Sequence, residues 1–358
     1  MKYELTSGRN FNRTVVVIDE VDIFACAYNE NVKKIKFTDE IAPKEIELTD
    51  LSNDGDGSVV GWIDGDTYKV STQKKGQKVI FNEDCKSMFG MFEHEDFGEI
   101  QIIFKEIDFA MIDTSNVKDM SEMFHNCFDL KELNLSGFNT SKVEDMSRMF
   151  DRCRKLKELD LSNFDTSQVK YMNEMFDCCG NLRELDLSHF NTSNVEDMNR
   201  MFAWCERLTN LDLSSFDTSN VKNMMGMFLA CEKMQKLNLS SFDTSKVTDM
   251  GNLFWRCYGL ESLDLSSFDT SQVKYMNGMF SSCFYLKELD LIHFDTSNVK
   301  DMSEMFAWCG NLKDKQLKNI YEEWLENQQN QVHSNINPKN LKISKGKEMQ
   351  KDKGIDKE

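Results

Sequence analysis

Eight cysteines, Cys127, Cys153, Cys179, Cys205, Cys231, Cys257, Cys283 and Cys309, recur every 26 residues, and a row of thiols can bind metal, pair as disulfides or act as redox groups. Metal-ligating cysteines cluster as C-x-x-C pairs. Here only the adjacent Cys178 and Cys179 come close, so neither a metal site nor a cofactor is expected. A disulfide needs Cα atoms within about 7 Å, whereas helices of adjacent units sit about 8 to 10 Å apart. The remaining reading is a column of buried, reduced thiols that behave as small apolar residues. The five histidines, His94, His125, His189, His293 and His333, share no motif with a nucleophile, and no P-loop, G-x-G-x-x-G, H-E-x-x-H or G-x-S-x-G occurs. No catalytic residue is assigned. Asp50 to Gly55 opens like a calcium loop, but Gly61 stands where the closing Glu would be, so a turn is expected.

The carboxylates are more informative. Each unit carries two polar positions between leucines, and nine of these are acidic: Glu132, Glu158, Asp160, Glu184, Asp186, Asp212, Asp264, Glu288 and Asp290, with Lys236 the one base among them. Such a face suits a basic partner. Asp in the L-D-L-S run equally suits a hydrogen-bonded polar ladder required by the fold. Large aromatics near each cysteine, notably Trp204, Trp255 and Trp308, interrupt the repeat and would anchor a partner where exposed.

What positions these residues is the repeat itself. The unit LTNLDLSSFDTSNVKNMMGMFLAC, Leu208 to Cys231, has the L-x-x-L-x-L signature of a leucine-rich repeat. Leu211 and Leu213 alternate with Asp212 and Ser214, as in a half-buried strand. Val221, Met224, Met227, Phe228 and Cys231 have the spacing of one helix face, after capping residues Asp217, Thr218 and Ser219. Ser141 with Glu144 and Ser193 with Glu196 have capping-box spacing. Two methionine columns, Met120 to Met302 and Met123 to Met305, with Leu253 substituted once, read as core. The expected fold class is an α/β leucine-rich-repeat solenoid with a parallel concave sheet and a helical convex side.

The repeat resembles that of the bacterial BspA-like leucine-rich-repeat surface proteins, L-x-x-L-D-L-S-x-F-D-T-S-x-V-x-x-M-x-x-M-F-x-x-C. The lead-in is similar too: Gly57 to Trp62, Asp66 to Tyr68, Asn82 to Cys85, then Met88 and Phe89. The resemblance implies a cell-surface or secreted protein that engages host or bacterial partners. The sequence itself shows no signal peptide, sorting motif or membrane span, which by itself reads as cytoplasmic.

Five segments follow: a small β-rich region at 1–55, with strand-like runs at Thr14 to Ile18, Lys34 to Phe37 and Glu45 to Leu48; a cap and degenerate first unit at 56–106; tandem units at 107–312; a capping helix at 313–327, where Leu317, Ile320, Tyr321, Trp324 and Leu325 form an apolar stripe; and a disordered, lysine-rich tail at 328–358. The net charge of −18, from 61 acidic against 43 basic residues, argues against nucleic acid and anionic membrane. The expected function is a non-enzymatic scaffold binding a protein or other macromolecule through the acidic face and nearby aromatics. The alternatives are a spacer array without a site, or an enzyme whose chemistry lies in residues 1–55.

Overall fold

The computed structural model describes residues 2–8, 11, 32–90, 92–94, 98–100, 104–312, 320, 322 and 324–325. The strand-like run at 14–18 and the tail at 328–358 lie outside the described residues. A five-stranded sheet opens the chain, in the order β2-β3-β4-β1-β8, from β1 (Lys34–Phe37), β2 (Thr49–Asp50), β3 (Val60–Asp64), β4 (Thr67–Ser71) and β8 (Glu106–Asp108). β1 is an inner strand that turns Ile35 and Phe37 into the core and pairs in parallel with both β4 and β8. The run at 45–48 forms no strand; β2 starts just beyond it. Asp50 ends β2 in a turn: its Oδ1 accepts the Ser52 N–H at 2.9 Å and its Oδ2 the Gly57 N–H at 3.1 Å, so the carboxylate is spent on backbone. Two-stranded sheets follow: β5 (Val79–Ile80) with β9 (Ile112–Asp113), β6 (Phe92–His94) with β7 (Gly98–Ile100), β10 (Asn210–Asp212) with β11 (Lys236–Asn238), and β12 (Ser262–Leu263) with β13 (Glu288–Leu289).

The expected leucine-rich-repeat solenoid, with a continuous concave sheet and helices on its convex side, does not form. The parallel strands between the leucines are confined to the separate β10–β11 and β12–β13 pairs, and the described residues are almost without helix. Along the segments expected to be helical, the backbone runs through consecutive tight turns instead. Met227 N–H donates to Met224 O at 3.1 Å, Leu229 N–H to Gly226 O at 2.9 Å and Cys231 N–H to Phe228 O at 3.2 Å. The alternate donors leave the unit: Met224 N–H reaches Asp249 O at 3.0 Å, Gly226 reaches Gly251 O at 2.8 Å, and Phe228 reaches Leu253 O at 3.0 Å. An α-helix would spend those donors on its own carbonyls four residues back. Three-residue turns place Val221, Met224, Met227 and Cys231 on one side just as a helix would, which is why the apolar spacing did not separate the two.

Packing decides against helices on a simple length. The Phe124, Phe150, Phe176, Phe202, Phe228, Phe254, Phe280 and Phe306 rings stack nearly parallel, with centroids 5.6 to 5.8 Å apart. Packed helices need about 8 to 10 Å between axes, so units this close have no room for them. Each turn instead uses a left-handed residue, in two columns four residues apart: Glu174 with Cys178, Arg200 with Trp204, Gly226 with Ala230, Asn252 with Arg256. The expected caps belong to turns as well. Asp217 Oδ1 accepts the Ser219 N–H at 3.0 Å, and Glu144, placed in a capping box by its spacing, pairs with Lys170. Of the capping helix expected over 313–327, only Ile320, Glu322, Trp324 and Leu325 are helical among the described residues, and no helix is delimited there.

A run of single bridged pairs, Asp119, Asp145, Tyr171, Asp197, Asn223, Asp249, Tyr275 and Asp301, links successive units in parallel. The core is continuous from the five-stranded sheet to the last unit and contains both methionine columns and the phenylalanine columns. Replacing Phe202, fully buried and stacked 5.7 Å and 5.8 Å from Phe176 and Phe228, by Ala should cost about 3 to 5 kcal/mol in urea unfolding. A cost under about 1 kcal/mol would mean that the ring stack does not hold the units.

Candidate interaction surface

All nine acidic positions singled out from the sequence are exposed, but they divide into two chemically different columns. Asp160, Asp186, Asp212, Asp264 and Asp290 each accept, through Oδ1, the N–H of the residue two positions on, at 2.9 to 3.0 Å. Asn134 and Asn238 do the same in their own units. The backbone N–H of the following Ser holds Asp160, Asp186, Asp212 and Asp264 below the usual carboxylate range. These are turn-forming groups, spent on the fold. Glu132, Glu158 and Glu184 form the other column, 26 residues apart, and make no ion pair among the described residues. Glu288 occupies the same column opposite Ser262, and Lys236 faces Asn210.

The aromatics are only partly free. Trp204 and Trp255 meet edge to face at 6.2 Å and pack on Ala203, Leu229 and Ala230. The small Ala230 in the intervening unit leaves space for that contact. Arg256 Cζ lies 5.6 Å from the Trp204 ring and 5.3 Å from Trp255, while its guanidinium donates to Tyr258 Oη at 2.7 Å and to Glu232 at 3.0 Å. Trp308 stands apart from this pair and is 48% exposed. The structure therefore gathers Trp204 and Trp255 into one patch and leaves Trp308 outside it.

The column cysteines are free thiols, buried from Cys127 to Cys283 and half-buried at Cys309. Each donates to the Phe carbonyl of the preceding unit, as Cys231 Sγ does to Phe202 O at 3.1 Å. Burial pushes Cys127, Cys231 and Cys309 up to about 12. A threonine column works alongside: Thr166 Oγ1 donates to Asn191 O at 2.9 Å and accepts the Asn191 N–H at 2.8 Å.

Four overlapping stretches, residues 83–185, 157–238, 179–264 and 231–344, match the family described as "Mycoplasma protein of unknown function, DUF285". The chain belongs to this family. Together the matches cover residues 83–344, well over half of the 358 residues, and their overlap reflects the internal repeat. No curated protein and no solved structure matches the chain.

One cluster was missed by the sequence reading. In the position after each stacked Phe, consecutive units carry His125, Asp151 and Asp177, and only then Ala203 and Leu229. Asp151 and Asp177 are 3% and 4% exposed. A carboxylate oxygen of each and Cys178 Sγ lie within 4.8 Å of one another, a group that could hold a metal ion. Burial, reinforced by Asp177, pushes the Cys178 thiol up to about 12. Three charged or titratable residues in succession beside a buried ring were the available signal; an alignment anchored on Cys and Met-Phe passes over them.

Two outcomes test these assignments. Asp212→Ala should lower the thermal midpoint while Asp212→Asn leaves it nearly unchanged, since the repeat itself uses Asn there; equal losses would make the charge, not the turn, the reason for Asp. Native labelling of the buried column thiols should stay slow through pH 9, above the pH of about 8.5 at which an exposed thiol ionises, and become rapid on denaturation. Fast native labelling of all eight would contradict their burial.

Proposed function

We propose that this DUF285-family chain is a non-enzymatic interaction scaffold, similar in role to the BspA-like surface proteins its repeat resembles, which binds a basic macromolecular partner through its acidic face. The observation that carries this reading is the column of Glu132, Glu158 and Glu184. These carboxylates are exposed and absent from the ion pairs that engage so many neighbours, and the turns do not require them, because the adjoining Asp and Asn positions supply the turn acceptors. Like charges stacked in neighbouring rungs disfavour pairing, so their retention fits recognition better than stability. Asp160, Asp186, Asp212, Asp264 and Asp290 add negative potential beside them, as does Glu288 further along. Trp308 and the Trp204–Trp255 patch offer apolar contacts, the latter with its own arginine. Steering by such a face speeds encounter with a cation and fades with salt, because the screening length is about 8 Å at physiological ionic strength. Nucleic acid and anionic membrane are disfavoured partners on the same grounds, and no helix among the described residues is long and apolar enough to cross a membrane.

The test is association of a poly-lysine probe, followed at low and high salt. Glu158→Lys with Glu184→Lys should slow association several-fold at low salt. The charge-matched control, Glu83→Lys with Glu261→Lys, disrupts the ion pairs Glu83–Lys118 and Glu261–Lys287 and should slow it less. Equal effects of the two double variants would reduce the proposal to net charge, and salt-independent binding that survives both would move the site to the aromatics.

A further inference from the structure

We propose that Asp151, Asp177 and Cys178 bind a divalent transition-metal ion of the zinc class, with Arg200 fixing the Asp177 carboxylate and His125 beside Asp151. The argument starts from how each carboxylate is held. Asp151 Oδ2 lies 2.8 Å from His125 Nδ1. Asp177 Oδ2 accepts from Arg200 Nε at 2.8 Å and from its second guanidinium nitrogen at 2.7 Å. Arg200 thus engages Asp177 Oδ2, whereas His125 Nδ1, close as it is to Asp151, is itself buried without a hydrogen-bond partner, and Oδ1 of each carboxylate is buried and equally unpartnered. Arg152 Nε stands 3.9 Å from Asp151 Oδ1, beyond hydrogen-bond reach. A buried acceptor without a donor is destabilising, and more so when charged. Here two occur in adjacent units, beside a thiol.

The repeat makes this juxtaposition. Asp151 and Asp177 occupy the same position in neighbouring units, so the spacing that stacks Phe150 on Phe176 at 5.7 Å also stacks their carboxylates. Cys178 adds its sulfur from the left-handed turn position, where its φ is 59°. In the same column the next units carry Ala203 and Leu229, which end the polar run. Tetrahedral bonds of about 2.0 to 2.3 Å separate ligands by about 3.5 Å, so a cluster spanning at most 4.8 Å closes on an ion with small side-chain rotations.

The donor set selects the metal. A thiolate with two carboxylates disfavours magnesium and calcium, which take oxygen ligands, and suits zinc. Binding replaces the Cys178 S–H bond by an S–metal bond and releases one proton to solvent. With the thiol ionised, the three donors carry three negative charges and Arg200 offsets one, leaving two for a divalent ion. Cys178 is half-buried, so a water can complete the coordination from the open side. Arg200 acts as an outer partner that orients Asp177.

The test uses the full-length chain, stripped with a chelator and titrated with zinc by calorimetry and with cobalt by absorption. One ion per chain should bind, and cobalt should show a thiolate charge-transfer band. Cys178→Ser should abolish that band. Asp151→Asn and Asp177→Asn, which keep the side-chain shape, should each weaken zinc at least tenfold while circular dichroism confirms the fold. Cys309→Ser, at the far end of the array, should change neither affinity nor band. No saturable binding, cobalt binding without the band, or undiminished affinity in Asp177→Asn and Cys178→Ser would each overturn the proposal.

Discussion

The backbone hydrogen bond from one unit to the next is the constraint on which the rest of this protein depends. Alternate N–H groups along each turn segment donate to a carbonyl 25 residues ahead, as from Phe202 to Met227, Phe228 to Leu253 and Phe254 to Met279. Units joined this way lie about one strand spacing apart, near 4.8 Å. At that distance every position of the repeat becomes a column in which a residue meets copies of itself. Phe stacks on Phe, Met packs on Met, Thr relays hydrogen bonds between rungs, and Cys adds its thiol to the Phe carbonyl that already accepts the Cys N–H of the preceding unit. The composition of the repeat is therefore a list of residues that tolerate themselves as neighbours.

Carboxylates tolerate this least, and their treatment separates structure from function. In the L-D-L-S and D-T-S positions each Asp is bound to the N–H two residues on, as Asp186 is to Ser188 and Asp165 to Ser167. Glu144 and Glu196 are offset by Lys170 and Lys222 of the following units. Two groups outside these schemes bear on function. One is the exposed column of Glu132, Glu158 and Glu184, left to solvent. The other is the buried pair Asp151 and Asp177, each with an Oδ1 that has no hydrogen-bond partner and a carboxylate oxygen within 4.8 Å of the Cys178 thiol. Both are places where the repeat departs from what stacking alone favours.

Much of this was legible in the sequence. The 26-residue period gave the units, the buried Met, Phe and Cys columns and the exposure of the acidic face. The helices were the main error, and the reason is geometric. Val221, Met224, Met227 and Cys231 share a face in a helix and in a chain of three-residue turns alike, and apolar spacing cannot report where the N–H groups point. The left-handed residues that mark the turns include Glu174, Arg200 and Arg256 as well as Gly226 and Gly278, so glycine content alone did not betray them. The polar column at His125, Asp151 and Asp177 escaped because it lasts only three units, too short to appear as a repeat feature.

Acceptor identity for a single amide tests the account most directly. Scalar coupling across hydrogen bonds, measured by NMR on the deuterated full-length chain, identifies the carbonyl that each N–H reaches. Coupling from the Phe228 amide nitrogen to the Leu253 carbonyl carbon, repeated for Phe202 with Met227, is the predicted result. Coupling from Phe228 to Met224, four residues back, would restore the helix and contradict the lateral hydrogen bonding from which the columns, the acidic face and the buried carboxylate pair all follow.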